Sequence, residues 1–300
     1  MRSARGQAVV NPATPPRVNP LAPSRVTERA GRKWASRVVI KKAAQRAGLT
    51  HGRVVAARLC CERNLLSRMG PRNPARSRVL AYHSIGTPLW GVNDVAPKRF
   101  RRHLEVALEL GYRFVPADLI AAEGGDEPRL AVTFDDGLKS VAQNAAPILA
   151  EMGIPWTLFV VTDWADGRHG FGDDVMLNWT EIESLAANGA TIASHSVTHP
   201  NFAHIADGQV EQELVESRLQ IAQHLGINPM AFAIPYGQSR DWTPFAHHAA
   251  TRAGYRTIYA QAEESRSPGT VPRTFITRFD TDRVFRGALN GAFDGWEEWY

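Results

Sequence analysis

The chain has 300 residues, of which 44% are hydrophobic and 22% are charged, so it is long enough to bury a full core. Its net charge of +5 is unevenly divided, because residues 1–78 hold 18 Lys and Arg against 2 Asp and Glu, whereas residues 79–300 hold 17 against 28. The only cysteines, Cys60 and Cys61, are adjacent, which excludes a disulfide framework, and no apolar run reaches the ~18 residues of a membrane span.

The first part of the chain is basic throughout. Residues 1–31 are rich in Pro and Arg and are predicted to be disordered, and residues 32–76 are predicted to form a basic, partly helical extension. We expect this extension either to dock on the following domain or to contact an anionic membrane surface through residues 32–69. Nucleic-acid binding is not expected, because no aromatic interleaving or known motif accompanies the basic residues. No secretory signal is visible, so a cytoplasmic location, or a peripheral one at the cytoplasmic membrane face, is expected.

From residue 79 onward, strand and helix patterns alternate along the chain. The predicted strands are 79–83, 130–134, 156–161, 191–194, 231–234, 257–259 and 275–277. The predicted helices are 97–111, 141–152, 180–188, 209–225 and 242–253. The helix at 180 opens on a capping-box pattern from Thr180 to Glu183. This alternation predicts a mainly parallel sheet, open or closed into a barrel, whose strand C-termini carry the chemistry.

Polar residues follow four of these strands: His83, the pair Asp135 and Asp136, the pair His195 and His199, and Tyr236. Taken alone, an Asp-Gly sequence is a common turn signal, and a pair of histidines among ten arises easily by chance. Together they suggest a metal site, because imidazole and carboxylate ligands suit Zn²⁺ and similar ions. Two His and one Asp would leave coordination positions open, as a catalytic site requires.

The segments TFDDG (133–137), SHSVTH (194–199) and PYG (235–237) resemble, in this order, the polysaccharide deacetylases of the NodB-homology type, carbohydrate esterase family four. The segment LAYHSIG (80–86) resembles the branch of exopolysaccharide poly-N-acetylglucosamine deacetylases, in which a histidine motif stands at the start of the domain. The resemblance covers roughly residues 79–280. It implies a distorted (β/α) barrel within residues 77–300.

The resemblance also implies site roles. Asp136, His195 and His199 would be the metal ligands, with zinc as the first expectation and cobalt, nickel or manganese as alternatives. Asp135 would be the general base that takes a proton from the attacking water, and His83 the general acid that protonates the departing amine. A backbone N–H at Tyr236 would stabilise the oxyanion.

The chain departs from the family pattern in its third motif, where an Arg usually precedes the Pro-Tyr and orients the base. Residues 232–236 contain no Arg, so Arg278 or Arg240 is the expected substitute. Substrate contacts are predicted for Pro235, Trp179, Trp242 and Arg278. Sugar stacking is expected of the two tryptophans and of Phe171, with ordinary packing as the alternative for each.

The implied activity is a hydrolase of non-peptide carbon–nitrogen bonds that removes N-acetyl groups from an N-acetylated sugar in an oligo- or polysaccharide. Three alternatives remain open with the same residues: action on O-acetyl esters, on a lipid-linked sugar, or on another carbon–nitrogen bond. A catalytically silent glycan-binding module is a more remote alternative, since it predicts a missing base or ligand.

Overall fold

The computed structural model describes residues 51–69, 77–172, 174–261 and 266–295. Its strands are β1 (Arg78–Tyr82), β2 (Ser84–Ile85), β3 (Asp94–Val95), β4 (Arg113–Phe114), β5 (Arg129–Phe134), β6 (Trp156–Val160), β7 (Thr191–Ser194), β8 (Ala231–Ala233), β9 (Thr257–Tyr259) and β10 (Thr274–Phe275). Its α-helices are α1 (His51–Met69), α2 (Pro97–Glu109), α3 (Ala117–Glu123), α4 (Ala146–Glu151), α5 (Thr162–Ala165), α6 (Trp179–Ala187), α7 (Asp207–Leu225), α8 (Pro244–Ala253) and α9 (Asp282–Leu289). Short 3₁₀ or π-helical turns span Pro88–Asn93, Val141–Ala145 and Ser239–Asp241.

The main sheet is entirely parallel, in the order β10-β1-β5-β6-β7-β8-β9, with β4 paired to β5. Val271, which precedes β10, forms a parallel bridge with Tyr259 at the end of β9. This bridge links the two edges of the sheet, which curls into a half-barrel with helices packed on it. The predicted α/β fold, a distorted (β/α) barrel, is therefore confirmed.

Side chains of the strands alternate between two apolar clusters, as the period of two in a β-strand requires. Val79, Ala131, Phe159, Ala193 and Tyr259 share the inner cluster, enclosed by the curled sheet. Their sequence neighbours belong to the cluster between the sheet and the helices: Leu80, Leu130, Val132, Leu158 and Ile192. The phase of this alternation decides which residues beyond each strand end continue toward the interior of the barrel.

Several local features differ from the sequence-based expectation. The helix predicted at 141–152 is broken into the π turn Val141–Ala145 and α4, because Pro147 has no N–H to donate into the preceding turn. The helix predicted from Thr180 begins at Trp179, and its capping box joins Asn178 and Glu181 instead of Thr180 and Glu183. Asn178 is preferred as the N-cap because its amide oxygen accepts from the Glu181 N–H at 2.9 Å.

The chain divides into two units, residues 1–55 and 56–300, so the boundary falls within α1. The part of α1 after residue 55 packs in the same unit as the barrel, where Arg63 is fully buried against Asp280 and the β10 carbonyl of Phe275. The predicted disordered segment 1–31, and residues 32–50 and 70–76 of the predicted extension, lie outside the described residues. Within the described ranges, no helix combines the length and the apolar character needed to span a bilayer.

Candidate active site

The predicted site residues converge at the C-terminal ends of neighbouring strands. Asp135 and His195 stand two positions after the inward-facing Thr133 and Ala193, so the strand alternation directs both toward the barrel interior. Each strand extends by one more ladder bond at this point: the Asp135 N–H donates to Tyr82 O at 3.0 Å, and the His195 N–H donates to Val160 O at 2.9 Å. The fold thereby fixes the backbone of both residues.

Asp136, His195 and His199 present a compact set of ligand atoms that lie within 4.8 Å of one another. The Nε2 atoms of both histidines lie 3.7 Å from the same oxygen, Oδ1 of Asp136. Asp136 and His199 have positive φ angles of 75° and 60°, which turn their side chains back to the site instead of continuing the strand direction. Among the described non-glycine residues, positive φ occurs at these two positions and at Ser196 and Tyr236, all in this region.

Both histidines are held in the neutral form that a metal ligand requires. His195 Nδ1 lies 2.9 Å from the carbonyl oxygen of Ala233, so Nδ1 carries the hydrogen and Nε2 keeps its lone pair facing Asp136. Burial lowers the pKa of His195, and burial together with the neighbouring His195 lowers the pKa of His199 to about 4. Two neutral imidazoles and one carboxylate oxygen fit a divalent ion such as Zn²⁺.

Asp135 is bound by a residue that was not predicted, Arg273. The two terminal guanidinium nitrogens of Arg273 donate to Oδ1 and Oδ2 of Asp135 at 2.6 and 2.8 Å, and both side chains are buried. Burial alone would raise the pKa of the Asp135 carboxyl, but the Arg273 guanidinium and the nearby His195 together lower it well below its usual range. Asp135 is therefore an ionised, oriented carboxylate, 4.0 Å from His195 Nε2.

Arg273 occupies the orienting position for which the sequence suggested Arg278 or Arg240, so that expectation is corrected. Arg278 is exposed, with its guanidinium 5.8 Å from the Phe279 ring centroid, and Arg240 is exposed beside Asp241. The physical reason is the strand phase. Arg273 immediately precedes β10, beside β1 and across from β5, and its guanidinium also reaches Thr133 Oγ1 at 3.3 Å. The sequence could have indicated Arg273 only through the segment PRTFIT (272–277). An Arg beside a buried strand needs a buried acidic partner, which here is Asp135.

His83 follows β1 and continues its inward phase. Its ring packs edge-on against Phe275 of β10, with 5.6 Å between the ring centroids. Its Nδ1 atom is buried and, among the described residues, has no hydrogen-bond partner. A histidine with an uncommitted ring nitrogen near the Asp135 carboxylate is suited to proton transfer.

Aromatic side chains line one side of the metal-ligand group. Trp90 donates its Nε1–H to Asp136 Oδ2 at 3.0 Å, and its ring packs on Phe171 at 4.9 Å. Trp164 contacts the same Phe171 and stacks on His199 with ring centroids 5.4 Å apart. Phe171 was expected as a stacking residue. Trp90 and Trp164 were not predicted from the sequence, because Trp90 lies in a short 3₁₀ turn and Trp164 in the four-residue helix α5, neither with a recognisable motif.

The predicted oxyanion donor, Tyr236, and the predicted substrate contacts differ in their exposure. Tyr236 is 52% exposed and contacts the His199 ring edge-to-face at 4.9 Å, and the preceding Pro235 is buried. Trp242 is only 4% exposed and packs on Phe202 and Phe232, so it is a core residue and its prediction as a sugar-stacking surface is corrected.

Trp179 lies at the first turn of α6, where its ring is half-buried and stacks on His224 with centroids 4.2 Å apart. Its Nε1–H donates to Asp166. One face of this ring is therefore covered by another residue of the chain.

A cavity of about 600 Å³ adjoins the site through Tyr236 and is further lined by Asn201, His204, Arg240 and Asp241. Its volume is within the range of about 300–1,000 Å³ typical of ligand sites. A second cavity of about 510 Å³ near Pro147 and Trp156 lies at the N-terminal ends of the strands and has no charged lining residue. Of these two cavities, the first is the one positioned to hold a molecule that reaches the candidate metal ligands.

Comparison with known proteins shows similarity to one family over part of the chain. Residues 122–258 match the sequence profile described as polysaccharide deacetylase, a range that includes Asp135 and the metal-ligand group but excludes His83, Trp90 and Arg273. YxkH of Bacillus subtilis, provisionally named a polysaccharide deacetylase, is 25% identical over 189 residues, which are 61% of this chain and 63% of that protein. A chitooligosaccharide deacetylase of Sinorhizobium fredii is 28% identical over 103 residues, or 34% of this chain and 43% of the relative. The chain thus spans less than two thirds of the length of these curated relatives.

Solved structures give the same fold. The deacetylase PplD of Streptococcus pyogenes, in complex with acetate, has a TM-score of 0.62 at 20% identity and covers 72% of this chain and 99% of its own. IcaB of Ammonifex degensii has a TM-score of 0.59 at 21% identity, covering 72% of this chain and 98% of its own. These likenesses confirm the barrel, and the profile match confirms the family resemblance that the motifs indicated.

Proposed function

We propose, from the match of residues 122–258 to the polysaccharide deacetylase profile, that this chain is a metal-dependent hydrolase that removes N-acetyl groups from an N-acetylated sugar of an oligo- or polysaccharide. One observation carries the proposal. An ionised carboxylate, Asp135, is fixed by Arg273 beside a separate set of metal-ligating atoms from Asp136, His195 and His199. The two neighbouring aspartates therefore have different chemical roles.

Asp136, His195 and His199 would hold the ion, for which zinc fits the ligand set best and cobalt, nickel or manganese are alternatives. A bound divalent ion would polarise the acetyl carbonyl and acidify a water molecule. The surrounding residues and the local backbone orient these three side chains. Ala233 fixes the His195 tautomer, Trp164 covers one face of the His199 ring, and the left-handed backbone of Asp136 and His199 aims their ligand atoms at a common point.

Asp135 acts as the general base in this proposal. Its carboxylate stays ionised at neutral pH because the ion pair with Arg273 stabilises the negative charge. It lies 4.0 Å from His195 Nε2 but does not belong to the group of ligand atoms that includes Asp136. It accepts the proton of the water that attacks the acetyl carbonyl. The buried pair with Arg273 keeps the acceptor oxygen in one orientation during the reaction.

His83 donates the proton that the departing sugar amine requires, since its ring is held by Phe275 and a nitrogen is left without a partner among the described residues. The backbone N–H of Tyr236 is the proposed donor to the oxyanion. Tyr236 has a positive φ of 64°, and strained backbone of this kind is concentrated at catalytic centres.

The cavity beside Tyr236 supports an oligosaccharide substrate. With a volume of about 600 Å³ it can accept a sugar next to the reacting one, and Tyr236, Arg240 and His204 offer an aromatic face and hydrogen-bond donors. Arg278, which is exposed, remains a proposed contact of the outer site, whereas Pro235 is buried and its prediction as a substrate contact is corrected.

The proposal also includes contact of residues 32–69 with an anionic membrane surface. The described part of this segment, in α1, exposes Leu65 by 57% and Met69 by 75% beside the cationic Arg68. Apolar and basic side chains on one helix face are typical of binding to an anionic lipid surface. Vesicles with and without anionic lipid test this contact. Salt-sensitive binding to the anionic vesicles alone is expected, and no binding to either would contradict it.

Metal content and acetate release test the enzymatic proposal directly. Wild type and Asp135→Asn are compared with N-acetylglucosamine oligomers, with an acetylated oligosaccharide ester as a second substrate. About one metal per chain in both proteins, with acetate released from the oligomers by wild type alone, is the expected result. Acetate from the ester but not the amide would move the activity to O-deacetylation, and absence of metal from wild type would overturn the proposal.

A further inference from the structure

The two carboxylate oxygens of Asp136 have different surroundings. Oδ1 faces both histidines, with 3.7 Å to His195 Nε2 and 3.7 Å to His199 Nε2. Oδ2 instead accepts the hydrogen bond of Trp90 Nε1 at 3.0 Å. One oxygen is thus directed to the metal position and the other is occupied by a donor of the protein.

Trp90 is held firmly enough to orient its donor. It lies in the 3₁₀ turn Pro88–Asn93, where its own N–H donates to Thr87 O at 3.2 Å. The start of this turn is tied by Asp94, whose Oδ1 accepts from the Thr87 N–H and from Ser84 Oγ. On the site side, its ring packs against Phe171 at 4.9 Å.

The end of the same turn is tied as well. The carbonyl of Val92 accepts the N–H of Arg278 at 2.9 Å, which links the turn to the chain just after β10. The indole N–H is therefore fixed from both ends of its segment and from its ring face. An N–H donor fixed in this way restricts rotation of the Asp136 carboxylate.

We propose that Trp90 is a positioning residue for the metal site, an inference that rests on the proposed function. By occupying Oδ2, its N–H leaves Oδ1 as the single ligand oxygen of Asp136 and keeps that oxygen facing His195 and His199. Donors of this kind around a ligating carboxylate set the orientation of the ligand, and their loss typically costs about 10–100-fold in metal affinity.

Trp90→Phe removes the indole N–H and reduces the bicyclic ring to a phenyl ring, which can still make an aromatic contact with Phe171. Trp179→Phe is the matched control. It removes the same type of bond, from an indole N–H to the carboxylate of Asp166, at a position where the ring stacks on His224. Both substitutions therefore remove a hydrogen bond from an indole N–H to an aspartate carboxylate, and only Trp90 bonds to a proposed metal ligand.

The measurement is the affinity of the chelator-treated proteins for Zn²⁺ and Co²⁺, with the absorption spectrum of the cobalt form as a second readout. We expect Trp90→Phe to bind either ion about 10–100-fold more weakly, with a changed cobalt spectrum, and Trp179→Phe to bind as wild type does. Equal affinities and spectra for Trp90→Phe and wild type would overturn the inference. Failure of wild type to bind either ion would instead overturn the proposed function.

A second variant guards against a general loss of structure. Trp90→Gln places an amide nitrogen the same number of bonds from Cβ as the indole nitrogen. The thermal unfolding midpoints of the metal-free proteins are measured alongside. Affinity closer to wild type in Trp90→Gln than in Trp90→Phe supports a role of the hydrogen bond. If Trp90→Phe unfolds at a lower temperature and Trp90→Gln binds no better than it does, Trp90 acts through packing and the inference is wrong.

Discussion

Arg273 and Asp135 form a two-fold hydrogen-bonded ion pair in the interior of the barrel, with N–O distances of 2.6 and 2.8 Å. They are 138 residues apart in the chain and meet because β10 lies beside β1, which pairs with β5. A buried carboxylate without this partner would be costly to ionise. The pair is therefore the element of the site most dependent on the completed fold.

Replacing Arg273 by Gln tests the importance of this pair for turnover. The change leaves Asp135 buried without its cation and free to rotate, so we expect kcat to fall by about 100-fold or more while bound metal is retained. Acetate release per metal-loaded chain is the measurement.

Arg78→Gln is a matched control for this change, since Arg78 is also buried and makes a two-fold pair, with Asp294, away from the metal ligands. It should lower stability but leave kcat per folded molecule near that of wild type. Wild-type kcat in Arg273→Gln would remove Arg273 from the positioning of the base.

His83→Asn tests the proposed general acid with two substrates. Amide hydrolysis needs a proton on the departing amine, so we expect its rate to fall by about 10²–10⁴-fold. An activated acetyl ester with a nitrophenolate leaving group needs no such proton and should lose less than about tenfold. Equal losses on both substrates would show that His83 does not act as the acid.

Protonation of the buried histidines predicts how the stability of the metal-free protein changes with pH. The folded pKa of His199 is lowered from 6.5 to about 4, and burial also lowers the pKa of His195 and His103. Between these values the unfolded chain binds more protons than the folded one, so stability falls as pH falls from about 6.5 toward 4. For His199 alone the loss is on the order of 3 kcal/mol.

Denaturant unfolding in the presence of a chelator, at several pH values in this window, measures the effect. His199→Gln should show a shallower decline than wild type, because one of the contributing groups is gone. A wild-type free energy of unfolding that stays constant from pH 6.5 to pH 4 would contradict the prediction.

Replacing Arg63 tests whether the end of α1 contributes to the stability of the barrel. Its guanidinium is fully buried, pairs with Asp280 at 2.5 Å through two nitrogens and lies 4.2 Å from the Phe293 ring centroid. Arg63→Met leaves Asp280 as a buried charge with fewer partners, so we expect a loss of about 3–5 kcal/mol in the free energy of unfolding.

Arg58→Met on the same helix is the control, because Arg58 is exposed and pairs only with Glu62 one turn on among the ion pairs described. Its loss should stay below about 0.5 kcal/mol. Equal and small losses for both variants would mean that α1 contributes little to the stability of the barrel, against the expectation that the extension docks on the following domain.

The sequence by itself determined the chemical part of the site. The apolar strands ending in His83, in Asp135 and Asp136, and in His195 could be read from local patterns, because strand ends and ligand residues are adjacent in the chain. The parallel sheet followed from the alternation of strands and helices. These features depend on short-range periodicity, which a sequence displays directly.

Only the tertiary structure decided which distant side chains complete the site. Arg273 replaces the expected Arg278, Trp90 contacts Asp136, Trp164 contacts His199, and Trp242 turns into the core. None of these could be read locally, because each depends on the register and curl of a sheet whose neighbouring strands are far apart in the chain. The direction in which side chains alternate along β10 decides whether Arg273 or Arg278 can reach Asp135. The first lies where the sheet directs its side chain inward to Asp135, whereas the second follows the strand and is exposed to solvent.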